Sequence, residues 1–352
     1  MSEANSSISI HENYISQCLQ LAILGAGYVS PNPMVGSILV HENKIIGKGY
    51  HQQYGQAHAE VNCLASVNEN ERNLIPESTL YVSLEPCSHF GKTPPCVDLI
   101  LKHQIKKVVV ACKDISSKVN GQGIDKLRAN GVEVIEHILE EKAIDINKRF
   151  FTFHIKQRPY IILKWAESKE GYIGNEKEPI KLSNELSDKI VHQWRAEEDA
   201  IWIGFNTLQI DNPQLNVRHV KGKNPLRIVY DKYLAYNPTY HFFDQSQPSF
   251  IFNHEIAKDD DKCSFIKIEK VNYIQSILNY LFKQNILSVI IEGGRQLIQE
   301  FIDLGLWDEA RCIKTSTSLS KGLKAPELKH EIEFQIIESG SDNIHFYKRN
   351  IE

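Results

Sequence analysis

Three residues in the first half of the chain form the donor set of a soft metal: His58, Cys87 and Cys96. A neutral imidazole and two thiolates bind zinc and leave its fourth position for water, the pattern of a catalytic site. Pro86 and Pro95 stand immediately before the cysteines, and a proline at a helix start forfeits no backbone hydrogen bond. At such a start the exposed N–H groups and the helix dipole favour the thiolate. Glu60 follows His58 in the same first turn. Zinc lowers the pKa of its water to about 7. A carboxylate so placed can take the water proton and hand it to a ring nitrogen and then to departing ammonia. His-x-Glu followed by Pro-Cys-x-x-Cys marks zinc nucleobase deaminases; here the two cysteines stand nine residues apart instead of three. His-Ala-Glu alone would open a surface helix, but three ligands with a glutamate in strand–helix context make a catalytic zinc site. Cys18, Cys63 and Cys112 lie in apolar patterns and read as plain buried cysteines.

The second half has one chemical feature of its own. Ile290-Ile291-Glu292 reads as a strand end, Gly293-Gly294 as a tight turn and Arg295 as a helix start. Glycines let backbone approach a phosphate, and a helix N-terminus supplies donors and positive partial charge. The full Gly-x-Gly-x-x-Gly fingerprint is absent, so an ordinary doubly wound NAD domain is not supported. Alone, such a turn is a plain strand–helix connection far more often than a nucleotide site.

Hydropathy supplies an α/β frame for these residues. Ile15, Cys18, Leu19, Ala22, Ile23 and Ala26 recur at helical spacing, and 35–40 with 44–50 reads as a hairpin. A helix near His58, a strand over 79–83, a Pro/Gly loop and a helix from Pro95 follow. Beyond them come strands at 108–111 and 132–135 around a short helix at 124–129. Strands alternating with helices predict an α/β layer with mostly parallel pairing after the hairpin. The pattern breaks over the basic, aromatic stretch 148–159, which divides the chain into domains 1–150 and 151–352. The second is again α/β, with strands at 160–165, 200–204, 226–230, 249–253 and 288–292. Helices are expected at 185–197, 275–284 and 295–304.

The 352 residues are 42% hydrophobic and 24% charged, with 40 Lys+Arg against 44 Asp+Glu and a net charge of −4. That is a globular composition without the basic excess of a nucleic-acid binder. No apolar run approaches the ~20 residues that span a bilayer, and no basic-then-apolar leader opens the chain. Seven cysteines are too sparse and odd in number for a secreted disulfide scaffold. A cytoplasmic protein acting on a small molecule, without nucleic acid or membrane, is expected; a homo-oligomer stays open.

The loop Cys87-Ser88-His89-Phe90-Gly91-Lys92-Thr93-Pro94-Pro95-Cys96 resembles that of the riboflavin-pathway pyrimidine deaminase. So do Pro31-Asn32-Pro33 with Val35-Gly36, and Gly49-Tyr50-His51 leading into His58. Lys164-Trp165-Ala166-Glu167-Ser168 with Gly171, Arg195-Ala196, Asp199-Ala200, Asn206-Thr207, Asp211-Asn212-Pro213 and Leu215 to Arg218 resemble segments of the reductase joined to it. Over nearly the whole chain the resemblance is to the bifunctional deaminase–reductase family of riboflavin biosynthesis.

That resemblance implies an N-terminal three-layer domain like cytidine deaminase and a C-terminal domain like dihydrofolate reductase, with Zn2+ and NADPH as cofactors. The implied reactions are hydrolytic loss of the 2-amino group of 2,5-diamino-6-(5-phosphoribosylamino)pyrimidin-4-one, then reduction of ribosyl to ribityl. By it Asn32, His51, His89 and Lys92 hold the pyrimidine or phosphate. Ala166, Thr207 and Asp211 touch NADPH, with Gly293, Gly294 and Arg295 near its phosphates. Ser183, Arg195, Leu215 and Arg218 hold the substrate, the arginines being shaped for its 5′-phosphate, and Glu292 reaches it beside the nicotinamide. Without the resemblance, Arg195 and Arg218 read equally as surface arginines. The chain departs from the family pattern at Glu170, usually Asp, and at Lys181, often Trp. Three rivals stand beside this reading: a tRNA or DNA deaminase with a binding module, a free-base deaminase with an unrelated second domain, and a non-enzymatic zinc-stabilised protein.

Overall fold

The computed structural model describes residues 2–350 apart from 92, 117–119, 176–177 and 261, with backbone alone for 2–8. Lys92 therefore lies outside the described residues. The chain forms two compact units, 1–156 and 157–352.

The first unit runs α1 (Ser2–Ile23), β1 (Gly36–His41), β2 (Lys44–Tyr50), α2 (Ala59–Ala65), a 3-10 turn at Glu69–Glu77, β3 (Thr79–Val82), α3 (Cys96–Lys102), β4 (Lys107–Val110), α4 (Gln122–Ala129), β5 (Glu133–Ile135), α5 (Glu140–Ile146) and α6 (Lys148–Lys156). Its sheet has the order β2-β1-β3-β4-β5. The first three strands pair antiparallel and β3, β4 and β5 parallel. Side chains alternate across the sheet. Leu39, Leu80, Val82 and Val108 join Cys63 and Leu64 of α2 and Val97 and Ile100 of α3 in one core. Tyr81 points the other way, its ring 4.9 Å from that of Tyr14 on α1, while the Cys18 thiol donates to the Tyr81 carbonyl. Both faces are thus covered, which makes three layers. Gly36 allows the close approach of α1: a Cβ there would stand 2.0 Å from the Cys18 carbonyl oxygen.

Two expectations are corrected. The first helix ends at Ile23, not near residue 26, because Leu24, Gly25 and Ala26 turn back onto carbonyls three residues earlier. The stretch read as a break from 148 is helix α6, whose Phe150, Phe151 and Phe153 are all buried. The units accordingly divide after Lys156, beyond the 150/151 division expected, which falls inside that helix.

The second unit runs β6 (Tyr160–Glu167), α7 (Glu185–Glu197), β7 (Ala200–Ile203), α8 (Phe205–Asp211), β8 (Leu226–Tyr230), a 3-10 turn at His241–Phe243, β9 (Ser249–Asn253), β10 (Cys263–Lys267), α9 (Tyr273–Lys283), β11 (Ser288–Glu292), α10 (Arg295–Asp303), β12 (Glu309–Lys314), β13 (Glu331–Ser339) and β14 (Asp342–Arg349). The sheet order is β10-β9-β8-β7-β11-β6-β12-β14-β13. It is parallel from β10 to β12 and antiparallel at β14 and β13. Ile161, Leu163, Trp202 and Ile291 pack with Ile298 and Phe301 of α10. Ile162 and Ile290 face Val191 and Trp194 of α7. Period two therefore puts Lys164 and Glu292 on the α7 face, at the carboxyl ends of neighbouring strands. Asn184 caps α7 through its side-chain oxygen, which accepts from Leu186 and Ser187 N–H, a contribution of about 1 kcal/mol.

Candidate active sites

His58 immediately precedes α2 and Cys96 opens α3, while Cys87 lies within the loop between β3 and α3, not at the helix start expected for it. The three ligand atoms lie within 4.8 Å of one another. His58 Nδ1 is 3.5 Å from Cys87 Sγ and 3.4 Å from Cys96 Sγ. The Cys96 N–H donates to Cys87 Sγ at 3.3 Å, as a helix start allows. Cys87 is the more acidic thiol, lowered to about 4 first by the hydrogen bond from Cys96 and then by His58. Its hydrogen bond with Cys87 raises the pKa of His58. One imidazole and two thiols at this spacing fit zinc, with Glu60 outside the ligand set. Glu60 is 3% exposed. Burial, then the negative charge of Cys87, pushes its carboxyl up to about 7.

The expected substrate residues of this unit fall on the surrounding loops. Asn32 Nδ2 donates to His51 Nε2 at 3.1 Å, and His51 Nδ1 bonds the Ala57 carbonyl at 3.0 Å. Both ring nitrogens of the buried His51 are therefore taken, so it holds Asn32 in place. Its ring stands edge-on to that of His58 at 5.3 Å between centroids. His89, half-buried in the zinc loop, has a buried Nδ1 without a hydrogen-bond partner among the described residues. Sequence reasoning missed Glu85, two residues before Cys87. Its carboxylate accepts from the N–H groups of Asp114, Gly121, Gly123 and Ile124 at 2.8–3.3 Å. Its only signal was an acidic residue in an otherwise apolar strand end.

In the second unit Glu292 is the hub. Lys164 Nζ lies 2.9 Å from its Oε1, and Arg195 donates through Nε at 3.1 Å and through its terminal nitrogen at 2.7 Å. Burial would raise the Glu292 carboxyl, but Arg195 and Lys164 hold it well below the usual range. Arg195 also reaches the Asn216 carbonyl, beside Leu215, which is buried with φ +55. Arg218 is exposed and bonds Asn216 Oδ1 at 3.0 Å. Ser183 donates to Asp188 at 2.7 Å, and Lys181 pairs with the same carboxylate at 2.7 Å. The Lys181 departure thus adds a cation beside Ser183. Glu170 accepts from the Leu319 N–H and Ser168 Oγ, both at 2.8 Å, and so binds two loop segments together. Lys164, which carries no role in the sequence reading, is a member of the hub.

Thr207, Gly293 and Gly294 also meet. Both glycines have positive φ, +80 and +74, and a Cβ on Gly294 would stand 2.9 Å from Thr207 Oγ1. The turn opens α10 and is bare of side chains, which suits a dinucleotide phosphate. Arg295 follows with its Nε buried and without a hydrogen-bond partner among the described residues. Ala166 packs against the Ile162–Trp194 cluster, and Asp211 closes α8 at the surface. Gly294→Val is expected to weaken NADPH binding by at least tenfold, about 1.4 kcal/mol, while urea unfolding stays cooperative. Fluorescence titration with NADPH measures it; equal affinity in a folded variant removes the phosphate role.

His192 sits three residues before Arg195 and is 2% exposed. Its Nδ1 accepts from the Arg218 N–H at 3.3 Å, and its ring stands edge-on to His219. Burial, then Arg195 and Arg218, lowers its pKa from 6.5 to about 4. Below about pH 6.5 the unfolded chain binds a proton there that the folded unit refuses until about pH 4. Stability of this unit therefore falls as pH drops through that window, by roughly 2–3 kcal/mol. All four tryptophans, 165, 194, 202 and 307, belong to it, so their emission follows its unfolding. The urea midpoint is expected to fall less between pH 7 and 4.5 in His192→Asn, which accepts the bond but does not titrate, than in the parent. Equal falls remove His192 as the cause.

Residues 8–112 match the model described as cytidine and deoxycytidylate deaminase zinc-binding region, and 159–321 match the RibD C-terminal domain. The second match overturns the reading of an unrelated second domain. The riboflavin biosynthesis protein RibD of Aquifex aeolicus is 35% identical over 97% of this chain and 99% of its own length. The crystal structure of a diaminohydroxyphosphoribosylaminopyrimidine deaminase/5-amino-6-(5-phosphoribosylamino)uracil reductase from Thermotoga maritima superposes with TM-score 0.89 at 31% identity, covering 97% of this chain and 99% of that one. Acinetobacter baumannii RibD superposes at 0.88 with 28% identity, covering 98% and 100%. With two matched domains in this order and similarity along nearly its full length, the chain belongs to the RibD family of riboflavin biosynthesis proteins.

Proposed function

We propose that the first unit hydrolyses the 2-amino group of 2,5-diamino-6-(5-phosphoribosylamino)pyrimidin-4-one and that the second reduces the ribosyl chain of the product to ribityl. Like its family, the chain is a zinc-dependent deaminase and an NADPH-dependent reductase of riboflavin biosynthesis. The observation that carries the residue-level reading is the His58–Cys87–Cys96 triangle with Glu60 buried against it.

His58, Cys87 and Cys96 would hold the metal. Zinc, when bound, acidifies the water that completes its coordination. Glu60 takes a proton from water and delivers it to the ring nitrogen beside the attacked C2. It then takes the second proton of that water from the new C2 hydroxyl and gives it to the departing amine as the oxo group forms, so one water enters and one ammonia leaves. Asn32, oriented by His51, and His89 hold the ring, with Lys92 toward the phosphate. In the second unit NADPH, when bound, supplies the hydride for C1′ of the sugar. Thr207, Gly293 and Gly294 would receive its phosphates, with Arg295, Ala166 and Asp211 alongside. Lys164 and Arg195 keep Glu292 ionised and fixed, and it presents its carboxylate to the sugar hydroxyls. Ser183, Leu215 and Arg218 complete the substrate side.

The net charge of −4 favours a free small molecule over nucleic acid, and no described helix is long and apolar enough to cross a membrane. The cytoplasm is the working place in this reading. Incubating the protein with the diamino substrate and identifying products by mass tests it. Without NADPH the product should carry an oxo group in place of one amino group; with NADPH it should gain a further pair of hydrogens. Deamination of an unphosphorylated base or a nucleic acid instead would overturn it.

A further inference from the structure

The two matched domains stop at residue 112 and resume at 159. The segment between them still reaches the deaminase site within the first unit. Asp114, Gly121, Gly123 and Ile124 bind Glu85, beside the Cys87 loop. A second anchor is more directed. Asn147, 3% exposed at the junction of α5 and α6, donates through Nδ2 to the Met34 carbonyl at 2.9 Å and accepts from the Met34 N–H at 2.8 Å. One side chain thereby supplies both hydrogen bonds of a backbone pair. A planar amide with donor and acceptor side by side does this in a single orientation. Met34 is separated from Asn32 only by Pro33, whose ring locks φ. On the far side of Met34, the His51 N–H donates to the Val35 carbonyl at 2.9 Å, and His51 Nε2 in turn bonds Asn32 Nδ2 at 3.1 Å. The loop 31–35 is thus clamped between His51 and Asn147.

We infer that Asn147 is a positioning residue of the deaminase, setting the loop 31–35 so that Asn32 meets the pyrimidine ring. It acts through Met34 and touches no reacting atom. The inference rests on the deaminase reading of the first unit. It gives the segment outside both domain matches a task, the shaping of the ring-binding wall.

Steady-state ammonia release from the diamino substrate tests it, with zinc content and NADPH oxidation on deaminated substrate as controls. Misplacing a binding group by about 1 Å costs up to ~10²-fold. Asn147→Ala is therefore expected to lower kcat/KM by roughly 10–100-fold, carried by KM, at unchanged zinc content. A merely structural role would lower the active fraction and so kcat, leaving KM alone. Asn32→Ala should cost a similar factor, and adding Asn147→Ala to it should cost little more, because both act at one contact. If Asn147→Ala does not fold, Asn147→Ser, which can keep one of the two bonds, should raise KM in the same direction by less. An unmoved KM in a folded, zinc-loaded variant, or full additivity with Asn32→Ala, overturns the inference alone. A parent protein that releases no ammonia overturns the deaminase reading and this inference with it.

Discussion

Glu60→Gln should stop ammonia release while leaving zinc in place. The amide keeps the size and hydrogen-bonding reach of the side chain but carries no proton between water, ring and leaving group. Loss of one general acid/base typically costs ~10²–10⁴-fold, and a residue that serves several transfers in one turnover should lie at the upper end. Glu60 is 3% exposed beside the ligand triangle, so bulk water has poor access to substitute for it. Metal content should stay near one zinc per chain, since the proposed ligand set is His58, Cys87 and Cys96 and does not include Glu60. Reduction of pre-deaminated substrate should survive, because Lys164, Arg195 and Glu292 belong to the unit 157–352. Ammonia release and NADPH oxidation, assayed side by side, decide. A folded, zinc-loaded variant that has lost both reactions would require one shared site.

The zinc triangle was legible because one histidine and two cysteines that follow prolines stood at expected helix starts; the structure places His58 before α2 and Cys96 at the start of α3 but leaves Cys87 in the loop ahead of it. The glycine turn was legible for a similar reason, since few residue types permit φ of +80 and +74 in succession. Other features depend on partners far along the chain. Asn147 binds a backbone group 113 positions away, and no local pattern marks an asparagine for that. Lys164 becomes a partner of Glu292 only once β6 and β11 align in register and α7 brings Arg195 over them. In other elements, burial does not follow the character of the side chains. β12 alternates Ala310 and Cys312, which are in the core, with Glu309 and Arg311, which are also buried and pair with each other at 2.6 Å, so its polar half disguises a buried strand. β13 is exposed along nearly its whole length. In α6 three phenylalanines within four positions are all buried, which blurs the helical period that would have announced it.

The Glu292 hub should respond most strongly to loss of its single anion. In Glu292→Met, Lys164 and Arg195 stay within a site where each side chain is only 11–13% exposed, with their shared counter-charge gone. Breaking a buried pair in this way costs on the order of 3–5 kcal/mol, and here one substitution strips two cations at once. A domain's whole stability is about 5–15 kcal/mol, so the second unit should become marginal. At a urea dependence of about 1–3 kcal/mol per molar, the midpoint seen by tryptophan emission should fall by at least about 1 M. NADPH oxidation on deaminated substrate should disappear, whereas ammonia release, which belongs to the other unit, should persist. Lost activity alone would not separate repulsion from a missing substrate contact, so a companion variant is needed. Glu292→Met with Lys164→Met leaves Arg195 as the lone cation of the hub and fills the vacated space with apolar groups. It should recover a substantial part of the midpoint without any recovery of reduction. Such a split would place the structural work of Glu292 in neutralising two cations and its chemical work in meeting the sugar. An unchanged midpoint in the single variant would show that water, not the carboxylate, already screens Lys164 and Arg195, and that the hub is not held by its charge.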